Sequence, residues 1–266
     1  MPMPRPQRQS YWFRKVRVLT QWAIGLRAPD FGSVYLAYHP DSYTMVRAQP
    51  EFRQLLRRFT RFNRRNNGGD INRLWTFILN LQQILADNIP GDFAELGVWR
   101  GNTASILAHY AQLSGRRAVL FDTFEGFDQR DIQGVDSLKR TEFANTSVRL
   151  ATDVIGDAVQ SCDFVPGRFP ESLRPEHTRG YAAVSLDCDL YEPMRAALEF
   201  FYPLLPRGGL LLIHDYNNPA WEGVKLAVDE FCARSGELVI AVGDKSGTAL
   251  IRKASADAAR PVQFAA

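Results

Sequence analysis

Residues 92–122 read DFAELGVWRGNTASILAHYAQLSGRRAVLFD. An apolar run of strand length at 92–98 passes two glycines into a helical pattern over 102–113, and a second apolar run begins at 118. Two strands separated by a helix cannot close as a tight hairpin, so the helix must cross over and lay the second strand parallel to the first. The same alternation continues downstream. SCDFVPG (161–167), AAVSLDCD (182–189) and GLLLIHDY (209–216) read as strands, and helices are predicted over 137–159 and 193–204. The predicted class is α/β, a mostly parallel, doubly wound sheet with right-handed crossovers. ELVIAVGDKSGTALIRK (237–253) predicts a C-terminal antiparallel hairpin turning at 243–247. Upstream, Trp75, Ile78, Leu79, Leu81, Ile84 and Leu85 form a helix-period stripe that ends before Pro90.

With 266 residues and 45% hydrophobic content, the chain can bury one large core, and a single catalytic domain is expected. The expected organisation is a basic, mainly helical N-terminal extension (1–65), a catalytic domain (66–256) and a frayed tail (257–266). No apolar stretch approaches the roughly 20 residues of a membrane-spanning helix. MPMPRPQRQ at the start lacks the pattern of a secretory signal, so a cytoplasmic protein is expected. Cys162, Cys188 and Cys232 form no CxxC pair and read as reduced thiols.

The net charge of +3 conceals an asymmetry: residues 1–65 carry 13 Lys and Arg against 3 Asp and Glu, and the remainder 19 against 26. YWFRKVRVLTQWAIGL (11–26) has the composition of a helix lying on an anionic membrane, at the inner face in this case, but packing of its apolar side on the body is favoured. FRQLLRRFTRFNRR (52–65) reads as a solvated helix, with Phe52, Leu55, Leu56, Phe59 and Phe62 at helical spacing. An acidic body and the lack of a base-clamping motif argue against a nucleic-acid partner.

In open α/β sheets, ligands lie beyond the carboxyl ends of the strands. The first strand ends in Glu95, Gly97, Val98, Trp99, Gly101 and Asn102, a sharp strand-to-helix turn. Trp99 stands where the dinucleotide fingerprint needs a second glycine, which argues against NAD and FAD. The second strand ends in Asp122, Thr123 and Gly126, with Asp122 placed 27 positions after Glu95, a spacing suited to holding a ribose diol. A carboxylate at Glu95 would repel a phosphate and fits a ligand with a cationic amino acid end. S-adenosylmethionine has both features. Asp187 and Asp215, on the fourth and fifth strand tips, could hold a hard divalent cation such as Mg²⁺ beside an acceptor hydroxyl. His214 reads equally as a third metal ligand, a general base, or a histidine hydrogen-bonded inside the sheet. Asp187 and His214 are therefore the candidate catalytic pair. His177 lies in a loop near the expected rim, while His39 and His109 carry no motif.

At these residues the chain resembles the macrocin O-methyltransferase-like (TylF/MycF) family of class I S-adenosylmethionine-dependent enzymes. The resemblance spans residues 44–252 and is carried by ELGVWRG (95–101), DTFEG (122–126), GRFPESL (167–173), LDCDLYE (186–192), LLPRGG (204–209) and HDY (214–216). It implies a Rossmann-like sheet and a Mg²⁺-assisted methyl transfer to a hydroxyl, with sugars of antibiotics or bacterial glycans as acceptors. By position, Asp187 matches the family's first metal aspartate. His214 and Asp215 stand where the family commonly has two adjacent aspartates. The leading expectation is an O-methyltransferase of a sugar hydroxyl. The alternatives are a catechol-like acceptor, or a non-catalytic scaffold binding a membrane or partner through its basic head. Acceptor choice is expected to lie in the loop 129–149 and the N-terminal head, and a homodimer is left open.

Overall fold

The computed structural model describes residues 49–68 and 70–254, with Arg65 described by its backbone alone. The expectations for the basic head before residue 49 and for the tail 257–266 lie outside the described residues. The chain divides into two compact units, Met1–Arg57 and Arg58–Ala266. The described part of the first unit, 49–57, enters the helix α1 (Phe52–Thr60), which runs across the division.

The second unit is built on a seven-stranded sheet: β1 (Asp92–Leu96), β2 (Ala118–Asp122), β3 (Cys162–Pro166), β4 (Tyr181–Leu186), β5 (Leu210–Ile213), β6 (Ile240–Ala241) and β7 (Ala249–Arg252). Its order is β3-β2-β1-β4-β5-β7-β6. The first five strands pair in parallel, and β7 runs antiparallel to both β5 and β6. This is the doubly wound sheet with a terminal hairpin that the alternating pattern predicts. Apolar residues fill both faces of the central strands, as continuous runs such as Ala118–Phe121 require.

Helices α2 (Arg64–Asn67), α3 (Ile71–Ala86), α4 (Ala104–Ser114), α5 (Val148–Ile155), α6 (Tyr191–Leu204) and α7 (Glu222–Ser235) complete the described elements of this unit together with short 3₁₀ turns. One core layer joins Ala94, Leu96, Val119, Phe121, Val184 and Leu186 to Met194, Leu198 and Phe201 of α6 and to Val224, Val228 and Phe231 of α7. By the period-2 alternation of a strand, Phe93, Glu95 and Ser185 point to the opposite face, the side of α4.

Two helical features differ from the sequence reading. The helix expected over 137–159 is confined to Val148–Ile155, where Ser147 caps it by accepting the Leu150 N–H at 3.1 Å. The polar stretch before it instead forms a loop, anchored where buried Asp136 accepts the Tyr191 N–H at 2.7 Å at the start of α6. Helix α7, between β5 and the hairpin, was not predicted.

Candidate active site

Strands β1 and β4 are neighbours, but the chain leaves them in opposite directions across the sheet, β1 to β2 and β4 to β5. The crevice at such a switch point is where an open α/β sheet receives its ligand. The register places Leu96 beside Leu186 and Leu186 beside Ile213, so the residues that follow, Gly97, Asp187 and His214, emerge side by side. Backbone bonds hold the three tips level: Asp187 N–H to Leu96 O at 2.8 Å and His214 N–H to Leu186 O at 2.9 Å. Gly97 has φ +90°, and a Cβ there would stand 1.9 Å from the Asp187 carbonyl oxygen. Only glycine lets the tips approach this closely. Beyond them opens a cavity of about 410 Å³.

One end of the cavity is formed by the β1 and β2 turns. Gly97, Val98, Trp99, Asn102, Asp122, Thr123 and Gly126 all line it. Asp122 braces the two turns, its Oδ2 accepting the Trp99 N–H at 2.7 Å and its Oδ1 the Phe124 N–H at 2.6 Å. Burial raises the Asp122 carboxyl, with these N–H bonds working against the rise. The Asn102 amide donates to the Arg58 and Arg61 carbonyls at 2.9 and 2.8 Å, and its buried Oδ1 has no partner. Two predicted cofactor residues stand behind the wall. Gly101 packs against Ala151, and Glu95 is fully buried, its Oε1 accepting the Ser185 hydroxyl at 3.1 Å while Oε2 has no hydrogen-bond partner. Burial and the neighbouring Asp187 charge push the Glu95 carboxyl well up.

At the tips of β4 and β5 the ligand atoms of Asp187, Asp189, His214 and Asp215 lie within 4.8 Å of one another. His214 Nδ1 is 2.7 Å from Asp187 Oδ1 and 2.6 Å from Asp215 Oδ2. Burial works against charge on His214, but Asp187 and Asp215 outweigh it and hold the imidazole up at about 9. Burial pushes Asp187 up, and His214 and Arg73 overcome this to hold it below the ordinary carboxylate value. Asp189 is pushed well up by burial and by the Asp215 and Asp187 charges.

Sequence reasoning missed Asp189 and Arg73. Arg73 lies on the buried stripe of α3 and is only 5% exposed, with Nη1 3.8 Å from Asp187 Oδ2 and Nη2 donating to Asn67 Oδ1 at 2.7 Å. The readable signal was its i, i+4 spacing to Phe77 and Leu81, which puts a cation on an apolar face. The loops add an aromatic wall: Phe127 and Phe143 pack on Trp221 at 5.7 and 6.1 Å between ring centres. His177 is not in this cavity; it is buried, its Nδ1 accepting the Arg174 N–H at 3.0 Å. All three cysteines are free.

The profile of the macrocin O-methyltransferase family matches residues 68–240. The chain belongs to that family. It is thus an S-adenosylmethionine-dependent O-methyltransferase, as the motifs implied. Among the family's characterised relatives is a tetracenomycin C rhamnosyl 4′-O-methyltransferase of Streptomyces olivaceus, 31% identical over 195 residues, covering 69% of this chain and 73% of that protein. Mycinamicin III 3″-O-methyltransferase of Micromonospora griseorubida is 29% identical over 174 residues, covering 59% of this chain and 66% of that protein. The solved O-methyltransferase NovP shares the fold, with a TM-score of 0.62 at 24% identity over 70% of this chain and 81% of that one. No helix among the described residues is long and apolar enough to cross a membrane.

Proposed function

We propose that this methyltransferase acts on a hydroxyl of a sugar carried by a natural product or glycan, assisted by a divalent cation at the tips of β4 and β5. The carrying observation is that Asp187, Asp189, His214 and Asp215 converge in the same cavity as Gly97 and Asp122. The rhamnosyl and mycinamicin acceptors named for the two relatives support the sugar assignment.

The residues present fit both groups. Asp122 faces the cavity with lone pairs beyond those taken by the two backbone N–H bonds, as a ribose diol needs. Val98, Trp99, Asn102, Thr123 and Gly126 shape the walls around it, and Gly101 supports the turn from behind. The unpartnered Glu95 Oε2 lies behind the wall, where it would meet the cofactor's amino group through a relaying water. Asp187, Asp215 and His214, joined by Asp189, supply the donors for a cation.

When bound, the cofactor supplies an electrophilic methyl group, and the cation supplies positive charge that favours loss of the hydroxyl proton. The acceptor oxygen takes the methyl group and gives up its proton in one step, so positioning is the main demand on the chain. Asp187 would receive the proton, with His214 beside it helping to hold the cation against that oxygen. The aromatic wall of Phe127, Phe143 and Trp221 excludes water, and acceptor choice lies with the loop 129–149 that carries Phe143 and Asp131 into the cavity. In this reading the catalytic domain spans 66–256, with Asn63 of the preceding extension also lining the cavity.

Asp187→Asn tests the assignment. It should leave S-adenosylhomocysteine binding within about threefold of wild type and lower turnover by at least about 100-fold. The acceptors would be glycosides with free sugar hydroxyls and, in parallel, catechols. Wild-type turnover in the variant overturns the role of Asp187, and turnover restricted to catechols overturns the sugar assignment.

A further inference from the structure

The geometry points to His214 as a metal ligand that makes this centre select a first-row transition ion, with Mn²⁺ as the weakest-binding member of that class, over Mg²⁺. This rests on the cation reading above and names the chemical class of the ion. Both ring nitrogens of His214 are buried; Nδ1 is paired with two carboxylate oxygens at 2.7 and 2.6 Å, and Nε2 has no hydrogen-bond partner. A buried nitrogen left so costs stability unless something occupies its lone pair. The oxygens of Asp187 and Asp215 converge on the same point, with Asp189 completing the group within 4.8 Å.

The donor set is therefore one nitrogen and three carboxylates. Mg²⁺ is held almost entirely by charge, prefers oxygen throughout and gives up its water reluctantly. Imidazole adds a bond that first-row transition ions form better than Mg²⁺, Mn²⁺ modestly and Fe²⁺, Co²⁺ and Zn²⁺ more strongly. Arg73 does not discriminate between the ions. Its permanent guanidinium charge, 3.8 Å from Asp187 Oδ2 and buried, weakens the attraction of the site for any divalent cation.

The experiment uses the full chain, stripped of metal by chelation and titrated calorimetrically with Mn²⁺ and with Mg²⁺, for wild type and His214→Asp. In parallel, pulsed electron paramagnetic resonance of the Mn²⁺-loaded wild type reads out any directly bound nitrogen. Wild type should bind Mn²⁺ at least about tenfold more tightly than Mg²⁺, and the variant should bring the two within about threefold. The resonance should show ¹⁴N coupling in wild type. S-adenosylhomocysteine binding checks that the variant is folded; if it is not, the ¹⁴N coupling decides alone. A bound ion without nitrogen coupling, or a Mn²⁺-to-Mg²⁺ ratio unchanged in a folded variant, overturns the selectivity while leaving the cation reading intact. Failure of both ions to bind overturns both.

Discussion

Replacing Asp122 by Asn changes one atom and separates two duties of this side chain. In the wild type, each carboxylate oxygen accepts one backbone N–H, from Trp99 at 2.7 Å and from Phe124 at 2.6 Å. The amide keeps one acceptor oxygen and turns an NH₂ towards whichever donor remains. One half-buried backbone N–H is then unsatisfied, at a cost of about 1 kcal/mol in stability. On the proposed assignment, the cavity also loses a charged acceptor for one ribose hydroxyl. A hydrogen bond to a charged group contributes about 2 kcal/mol, so the dissociation constant of S-adenosylhomocysteine should rise roughly 30-fold. Titration calorimetry measures the affinity, and thermal unfolding measures the stability. The pH dependence gives an independent check. The ionised carboxylate is the accepting form and burial raises its pKa, so wild-type affinity should fall as pH drops through a value above the ordinary carboxylate range and stay flat on the alkaline side. The Asn variant should lack that step. A variant with lowered stability but affinity within about threefold of wild type would refute the ribose contact and leave Asp122 as a brace between two turns.

Three further substitutions probe the frame around the site. Gly97→Ala puts a Cβ 1.9 Å from the Asp187 carbonyl oxygen at a φ of +90°; unfolding should shift by about 3 kcal/mol or more, and cofactor affinity should fall with it in calorimetry. Gly223→Ala at the start of α7 would bring a Cβ 2.4 Å from Asp136 Oδ2, displacing the anchor of the loop that carries Phe143. It should raise the acceptor KM with S-adenosylhomocysteine affinity unchanged; the reverse pattern in steady-state kinetics and calorimetry would show that the loop serves the cofactor. Lys253→Met removes a buried ammonium that donates to the Tyr202 and Leu205 carbonyls at 3.1 and 2.9 Å, at the end of α6. A loss of about 1–3 kcal/mol in denaturant unfolding, with kcat unchanged at 25 °C, is expected.

The parallel strands were legible because burial on both faces leaves near-continuous apolar runs, and the acids at their tips stood out against those runs. Helix α7 was not legible. Its buried stripe is Val224, Ala227, Val228 and Phe231, mostly small side chains, and its start lacks a side-chain cap. The over-long helix at 137–159 was a failure of another kind. Its apolar residues could be fitted to a helical period, but the buried contact that fixes Asp136 against α6 is tertiary and leaves no local trace. Asp189 escaped notice although it sits in the quoted LDCDLYE motif, because strand alternation does not announce a φ of +62°, which alters the local course of the backbone at this residue. Arg73 was readable in retrospect, as a lone cation on an apolar helical stripe.

The two ends of the cavity are attached to the fold by different means, and this bears on what can change. At the end proposed for the cofactor, Gly97 touches the backbone of the adjacent strand tip, and Asp122 bonds two backbone N–H groups, so a change there would disturb the sheet and the ligand together. The opposite wall comes from loops. Phe127, Phe143 and Trp221 meet through ring contacts, and Lys245 reaches the Asn66 carbonyl by its side chain at 2.9 Å. Such contacts can be rebuilt without moving a strand, since loops tolerate substitution that a buried sheet does not. A fold arranged in this way can hold its methyl donor fixed while the acceptor it serves is exchanged, so acceptor specificity should respond to substitutions in the walls at Phe143 and Trp221 before it responds to any at Gly97 or Asp122.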